Sequence, residues 1–342
     1  MPGIPPFRII ALLLSLAPSL LATAQTPSYQ YFRLGNRTNA PTAVPHAGYA
    51  LMGGGTDLDE AFRWLCGRAG GGDLLVLRAH GNDDYNPYIE KLCHLNSVAT
   101  LIIPNRIAAN DPFVADAIRH ATALFIAGGD QANYVNFWER TPAQDALNDA
   151  IRRGVPIGGT SAGLAVLGEI AYTAQGDKPD DKDLDSKTAL NNPYHSRVTL
   201  DDHFLHIPAL EHILTDTHFA KRDRMGRLLA FLARENEPDG VPLPPPGRGI
   251  RGLGVEQGAA VLVEPDGSAS VVGHGSAYFI TESGDAEILR PGTPLTLRDI
   301  DVQKVEPGHS FNLKTWQGNA THYTLTVEAG VLHSTQPGGA TY

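Results

Sequence analysis

Residues 155–164 read Val-Pro-Ile-Gly-Gly-Thr-Ser-Ala-Gly-Leu, an apolar stretch that runs directly into a turn of small residues. The apolar part predicts a buried strand, and the chain after the turn can begin a helix. Residues 159–163 fit the pattern G-x-S-x-G, in which a serine lies on a tight strand-to-helix turn between small neighbours. The start of such a helix directs backbone amides and a positive dipole end at a developing oxyanion. Ser161 is therefore a candidate nucleophile.

Two other interpretations of this turn stay open, because five residues with two glycines are a weak pattern. The turn could be purely structural, or it could bind phosphate without any nucleophile. No Gly-Lys-Ser or Gly-Lys-Thr follows a glycine run, which disfavours a P-loop.

Strands and helices alternate around this turn between Tyr49 and Ala171. Buried strands are predicted at residues 49–52, 74–79, 100–104, 124–127 and 155–157. The best-marked helix begins at Thr141, with Pro142 at its first position and Gln144 completing a capping box. This alternation predicts an α/β fold with a three-layer, mostly parallel sheet. Glycine-rich loops at 53–55, 128–129 and 158–159 follow predicted strands, so they lie where sites gather in parallel sheets.

The composition changes along the chain and divides it into three predicted regions. Residues 1–24 are typical of a signal peptide, with Arg8, an apolar run and the small-residue pattern Ala22-Thr-Ala24; an uncleaved membrane anchor is the alternative. Residues 25–264 form the predicted α/β catalytic domain. Residues 265–342 alternate polar and apolar side chains between glycine and proline turns, which predicts a β-rich C-terminal extension that could interleave with the main sheet.

The overall composition limits the partners and the compartment. Of 342 residues, 27 are basic and 37 acidic, and the formal charge of −10 argues against non-specific nucleic-acid binding. Past the signal peptide no segment is long and apolar enough to span a membrane. Cys66 and Cys93 could form a disulfide in an oxidising compartment or stay as buried thiols. A homodimer is one option that the sequence leaves open.

The oxyanion needs a second amide from a neighbouring strand end. Gly128-Gly129 is the natural source, since glycine lets a backbone amide approach the substrate closely. The amides of Gly129 and Ala162 are therefore the predicted oxyanion hole, with an ordinary glycine turn as the alternative. A serine nucleophile also needs a base, and the chain has 13 histidines. His203 and His206 lack a carboxylate pattern such as H-E-x-x-H, so we expect no metal there.

One histidine lies in a distinctive segment, Asp216-Thr-His-Phe-Ala-Lys-Arg-Asp-Arg-Met-Gly-Arg-Leu-Leu229. This segment resembles the signature of cyanophycinases and related serine exopeptidases. Phe125-Ile-Ala-Gly-Gly-Asp-Gln131 and Gly158-Gly-Thr-Ser-Ala-Gly163 resemble the other two motifs of that family, in the same order. The resemblance covers roughly residues 48 to 265.

The resemblance implies a fold similar to class I glutamine amidotransferases, with serine in place of cysteine. It implies that Ser161 is the nucleophile and His218 the base. It also implies that the following residues lie in or around the substrate pocket: Gln131, Asp216, Arg222, Arg224 and Arg227. Arginine binds carboxylates bidentately, which suits the polyaspartate backbone of cyanophycin. The alternative is that the three arginines line a solvated helix face.

Two neighbouring residues compete for the role of the acid that orients His218. The family pattern resembles Gly-Ile-Gly-Ile-Asp-Glu, whereas this chain reads Gly252-Leu-Gly-Val-Glu-Gln257. A one-residue shift decides which side chain faces the site. We expect Glu256 to take the role after a local bulge; Gln257 acting weakly, or an impaired site, are the alternatives. The family also has members with a basic residue where this chain has Val135, which weakens the case for strict cyanophycin specificity.

Together these observations predict a secreted or periplasmic serine-type exopeptidase that hydrolyses cyanophycin or related aspartyl and isoaspartyl peptides without a cofactor or metal. Its partner would be a peptide or polymer. An exported α/β-hydrolase esterase is one alternative, although there the acid precedes the histidine in the chain. A catalytically impaired, peptide-binding protein of the same fold is the other. Neither cysteine lies near a glycine-rich turn, so a thiol-dependent amidotransferase is disfavoured.

Overall fold

The computed structural model describes residues 28–178, 183–237 and 249–342, together with residues 1 and 3. The predicted signal peptide, residues 1–24, lies almost entirely outside the described residues. Among the described residues, no helix combines the length and the apolar character needed to cross a bilayer.

The chain forms the following strands: β1 (Gln30–Gly35), β2 (Tyr49–Met52), β3 (Asp73–Arg78), β4 (Ser97–Ile102), β5 (Ala123–Ile126), β6 (Ile157–Thr160), β7 (Ala171–Tyr172), β8 (Leu200–Asp201), β9 (Ile213–Asp216), β10 (Arg251–Val255), β11 (Ala259–Val263), β12 (Ser268–Gly273), β13 (Ala277–Glu282), β14 (Leu297–Val305), β15 (Ser310–Asn312), β16 (Gln317–Gly318), β17 (Thr321–Glu328) and β18 (Val331–Ser334). The α-helices are α1 (Asp59–Arg68), α2 (Tyr85–Leu92), α3 (Arg106–Ala109), α4 (Pro112–His120), α5 (Gln131–Trp138), α6 (Pro142–Arg152), α7 (Ala162–Ala165), α8 (Ser186–Asn191) and α9 (Met225–Asn236).

The central sheet has ten strands in the order β1-β4-β3-β5-β6-β2-β11-β12-β15-β16. Strands β4, β3, β5, β6 and β2 are parallel, and the flanking strands pair antiparallel with them. Helices cover both faces of the parallel part. Phe62 of α1 belongs to the apolar core of one face, and Ile118 of α4 and Leu147 of α6 belong to that of the other. The predicted three-layer α/β fold is confirmed.

The β-rich C-terminal region is also confirmed, and its strands join two sheets. β12, β15 and β16 extend the central sheet. A second, six-stranded sheet has the order β18-β17-β14-β13-β10-β9, and only β9 and β10 in it are parallel. Because residues beyond 265 pair with strands that precede them, the C-terminal region is interleaved with the α/β part. The domain boundary at residue 265 stays a prediction.

The sequence predicted where α6 begins but not the hydrogen bonds at its first turn. α6 begins at Pro142 as predicted, yet the Thr141 hydroxyl donates to the Trp138 carbonyl and does not cap the helix. Gln144 accepts from the Arg140 amide rather than from Thr141. The predicted capping box is therefore wrong. Because the helix packs against its neighbours, these side chains find other hydrogen-bond partners.

Two of the three glycine-rich loops meet as expected. β5, β6 and β2 are neighbours in the sheet, so residues 128–129 and 53–55 lie on either side of the turn after β6. The predicted loop at 158–159 is wrong, because Gly158 and Gly159 are paired residues within β6. This edge of the sheet holds Ser161.

A disulfide joins Cys66 in α1 to Cys93 just after α2. The two cysteines are 27 residues apart in the sequence. Their bond lies in the helix layer on the face of the central sheet opposite α4 and α6. Both cysteines are buried, and no free cysteine remains in the sequence.

We expect the double variant Cys66→Ala/Cys93→Ala to lose about 3 kcal/mol of unfolding free energy, because the open loop gains entropy in the unfolded chain. Urea unfolding of both proteins measures this difference. Dithiothreitol should lower the stability of the wild type by a similar amount and leave the double variant unchanged. A loss below about 1 kcal/mol would contradict the expected contribution of the disulfide.

Candidate active site

Ser161 lies between the end of β6 and the start of α7 in a strained conformation, with φ 51° and ψ −119°. Positive φ is costly for a residue with a side chain and persists where surrounding structure fixes it. Gly163 permits this turn, since a Cβ atom there would lie 2.0 Å from the Ile126 carbonyl oxygen of β5. The sequence therefore holds the serine on a tight turn against the neighbouring strand, as G-x-S-x-G predicts.

His218 faces Ser161 from the turn after β9. Its Nε2 lies 2.6 Å from the Ser161 Oγ. The His218 amide donates to the Gly53 carbonyl, which ties the turn to the end of β2. Gly54 leaves room for the ring, because a Cβ atom there would lie 2.4 Å from the His218 Cε1. The structure thus brings together the serine and the histidine selected from the sequence.

The expectation that Glu256 contacts His218 is wrong. The Glu256 carboxylate accepts from the Ser276 amide at 2.8 Å and from the Tyr278 hydroxyl at 2.6 Å. Gln257 lies at the histidine instead, with its Nε2 2.6 Å from the His218 Nδ1. Strand β10 ends at Val255, and its pairing with β13 leaves Glu256 bonded to that strand while Gln257 faces the site.

A side-chain amide at Nδ1 can set either tautomer of His218. When its NH₂ group faces Nδ1, that nitrogen accepts, and the ring proton lies on Nε2. When its carbonyl oxygen faces Nδ1, the proton lies on Nδ1, and Nε2 can accept the serine proton. Only the second arrangement makes His218 a base. Unlike a carboxylate, the amide adds no negative charge.

The pKa of His218 is lowered to about 4. Burial is the main cause, and the positive charges of Arg222 and Arg224 add to it, while Asp216 and Asp183 act in the opposite direction. The imidazole is therefore neutral at neutral pH, which is the form that can accept a proton.

The predicted oxyanion amides are available. Gly129 and Ala162 both line the cavity next to Ser161. Within the part of the chain that the structure describes, neither amide donates a hydrogen bond. Their role as an oxyanion hole stays a prediction.

A cavity of about 600 Å³ opens in front of Ser161. Four of the five residues expected at the substrate line it: Gln131, Arg222, Arg224 and Arg227. Asp216 does not line it among the described residues, because this buried carboxylate is bound by Arg227 at 2.7 and 2.5 Å and by the Thr217 amide at 2.7 Å. Asp216 therefore holds Arg227 in place rather than facing the cavity.

The alternative of a solvated arginine face is wrong for two of the three arginines. Arg224 and Arg227 are buried, and only Arg222 is substantially exposed. Asp183 accepts from Arg222 and from Arg224, each at 2.6 Å, so one carboxylate bridges two guanidinium groups.

Sequence reasoning missed several of the cavity's side chains. Tyr172 lies under Arg227, with its ring centroid 4.9 Å from the guanidinium carbon. Further lining residues come from the same region of the chain: Gln175, Asp177, Lys178 and Asp183. The run of charged residues from 177 to 185 is the one signal that pointed to them. His203, by contrast, contacts the neighbouring Asp201 and Asp202 away from this cavity.

Comparison with known proteins identifies the family. The family model of peptidase family S51 matches residues 58–244, more than half of the chain. The cyanophycinase of Synechococcus elongatus is 25% identical over 293 residues, covering 80% of this chain and 81% of that protein. The cyanophycinase of Geminocystis herdmanii (strain PCC 6308) is 26% identical over 227 residues, covering 64% of this chain and 72% of that protein.

Among solved structures, a peptidase from an acI-B1 Actinobacterium is similar with a TM-score of 0.49 and 16% identity, covering 78% of this chain and 97% of that one. The match to the family model, together with the cyanophycinase relatives, shows that the chain belongs to peptidase family S51 and is a serine-type peptidase.

Proposed function

We propose that the protein is an exported exopeptidase that hydrolyses cyanophycin or related aspartyl and isoaspartyl peptides through Ser161, His218 and Gln257. The observation that carries this proposal is the 2.6 Å contact between the Ser161 Oγ and the His218 Nε2 at the edge of a mixed-charge cavity. Membership of family S51 argues against the α/β-hydrolase esterase.

The mechanism follows from the positions of these groups. Neutral His218 takes the proton of Ser161 on Nε2, and the serine oxygen attacks the scissile carbonyl carbon. The amides of Gly129 and Ala162 bind the oxyanion that forms. His218 then gives the proton to the leaving amine, and a water molecule hydrolyses the acyl-enzyme by the same route.

Gln257 has a defined part in this scheme. When the enzyme acts, the Gln257 amide is turned so that its carbonyl oxygen, in place of the Nε2 that lies at Nδ1 in the structure, accepts the Nδ1 proton. This leaves the Nε2 lone pair of His218 free for the serine proton. Gln257 orients the ring as a carboxylate would, but it offers no counter-charge to the imidazolium that forms during the reaction. We therefore expect the histidine to be a weaker base than in a site with a carboxylate.

The cavity suits a substrate that carries both charges. Arg222 and Arg224 can bind a carboxylate, while Asp130 and Asp177 on the cavity wall can bind a guanidinium group. A polyaspartate chain carrying arginines supplies both. Val135, at the position where family members can have a basic residue, is buried in α5, so this chain offers no cation from that position.

Export rests on the sequence of residues 1–24 and is supported by the disulfide between Cys66 and Cys93. Such bonds persist in oxidising compartments and are rare in the cytosol. A secreted or periplasmic enzyme would meet polymer released from lysed cells, or peptides outside the cytoplasm.

A peptide-binding protein without activity is the second candidate, and Gln257 in place of a carboxylate favours it. Incubating the mature protein, residue 25 onward, with insoluble cyanophycin and detecting β-Asp-Arg by mass spectrometry separates the two. Labelling of Ser161 by a fluorophosphonate distinguishes an active site with another substrate from an inactive one.

In that assay, we expect Ser161→Ala to lower kcat by about a thousandfold or more, because no other group replaces the nucleophile. Ser310→Ala, which changes an exposed serine of β15, is the matched control and should keep full activity. Turnover near the wild-type level in Ser161→Ala would remove the proposed mechanism.

The pH dependence should follow the neutral form of His218. Since protonation removes the base, kcat/KM should stay high down to about pH 5 and fall as the pH drops through the pKa of about 4. A profile measured between pH 3 and pH 8 in buffers of constant ionic strength tests this. An acid limb near pH 6.5, the ordinary pKa of histidine, would contradict the effect of burial.

Gln257→Glu should raise the pKa of His218, since a carboxylate at Nδ1 stabilises the imidazolium. We expect the acid limb to move upward by about 1 to 3 pH units and kcat to rise about tenfold or more. Gln175→Glu, which adds the same charge elsewhere in the cavity, should move the limb much less. Equal shifts in both variants would show that the contact with Nδ1 is not the cause.

A further inference from the structure

The turn that carries His218 has two strained residues. His218 has φ 47° and Asp223 has φ 48°, both in the left-handed region that residues with side chains rarely adopt. Backbone hydrogen bonds within the turn join Arg222 to His218 and Arg224 to Phe219. Such a conformation persists when surrounding contacts over-determine it.

Tyr342, in the C-terminal region, contacts the turn at its far end. Its hydroxyl accepts from the Met225 amide at 2.8 Å and donates to the Asp223 carboxylate at 3.0 Å. These two partners lie on either side of Arg224. One side chain therefore bonds both the second strained residue and the first residue of α9.

The ring of Tyr342 contacts the other end of the same turn. Phe219, directly after His218, meets Tyr342 edge-on with ring centroids 5.8 Å apart, and it meets Tyr278 at 5.3 Å. Tyr278 and Tyr342 also contact each other edge-on at 5.8 Å. We call Phe219, Tyr278 and Tyr342 the aromatic cluster. Phe219 and Tyr278 are completely buried in it, and the described lining of the cavity includes none of the three residues.

Glu256 belongs to the support of this cluster. Its carboxylate binds the Tyr278 hydroxyl at 2.6 Å and the Ser276 amide at 2.8 Å. The carboxylate that does not reach His218 thus fixes a ring that packs behind the neighbouring Phe219.

We propose that Tyr342 is a positioning residue, which holds His218 against Ser161 by bonding both sides of Arg224 and by packing on Phe219. The proposal rests on the proposed function of Ser161 and His218. It gives the β-rich C-terminal region, which lies outside the residues matched by the family model, a direct part in the site. Displacing a base by about 1 Å can cost a hundredfold in rate, so loss of this support should slow the reaction.

The test is the rate of Ser161 modification by a fluorophosphonate, which needs no knowledge of the natural substrate. In the full mature protein, we expect Tyr342→Ala to lower the second-order rate constant about a hundredfold. Tyr342→Phe keeps the ring and loses both hydrogen bonds, and we expect an intermediate loss of about tenfold. Tyr88→Phe is the matched control. It removes a hydroxyl that joins α2 to Asp59 of α1, away from the turn, and should leave the rate unchanged.

Rate and extent of labelling separate positioning from simple instability. A positioning role lowers the rate constant while all molecules are labelled in the end. A purely structural role lowers the labelled fraction and leaves the rate constant of the folded fraction unchanged. Rate constants for both Tyr342 variants within about twofold of the wild type, or a loss confined to the labelled fraction, would overturn the proposal. Absence of labelling in the wild type itself would refute the proposed function instead.

Discussion

The ion pair between Asp216 and Arg227 is the interaction on which the site depends. Both side chains are almost completely buried and form two hydrogen bonds, at 2.7 and 2.5 Å. The pair joins the last residue of β9 to the first turn of α9, so it closes the turn of residues 217–224 that carries His218. Removing one partner of such a pair costs about 3–5 kcal/mol, since it leaves an uncompensated charge in the interior.

The position of Ser161 could be predicted from sequence because local rules determine it. Parallel strands end at one edge of a sheet, and glycine-rich turns follow β2 and β5 on either side of β6, so Ser161 had to lie beside Gly129. The contact between His218 and Ser161 depended on more than local rules, since 57 residues separate them. It was the resemblance to a known family that selected this histidine from thirteen.

The group that contacts His218 and the acidic partners of the cavity arginines could not be predicted, because both depend on pairing between distant segments. Whether Glu256 or Gln257 faces His218 is decided where β10 stops pairing with β13, and a shift of one residue reverses the answer. Likewise, Asp183 reaches Arg222 from 39 residues away. Side-chain patterns along α9 alone do not reveal that Arg227 is buried against β9.

The interleaved C-terminal strands have a consequence for the order in which the molecule folds. Strand β2 is completed on one side by β6 and on the other by β11, more than 200 residues later in the chain. Contacts between such distant segments form late and slow the search for the native state. Ser161 therefore meets its full set of partners only after residues 218 and 257 have left the ribosome.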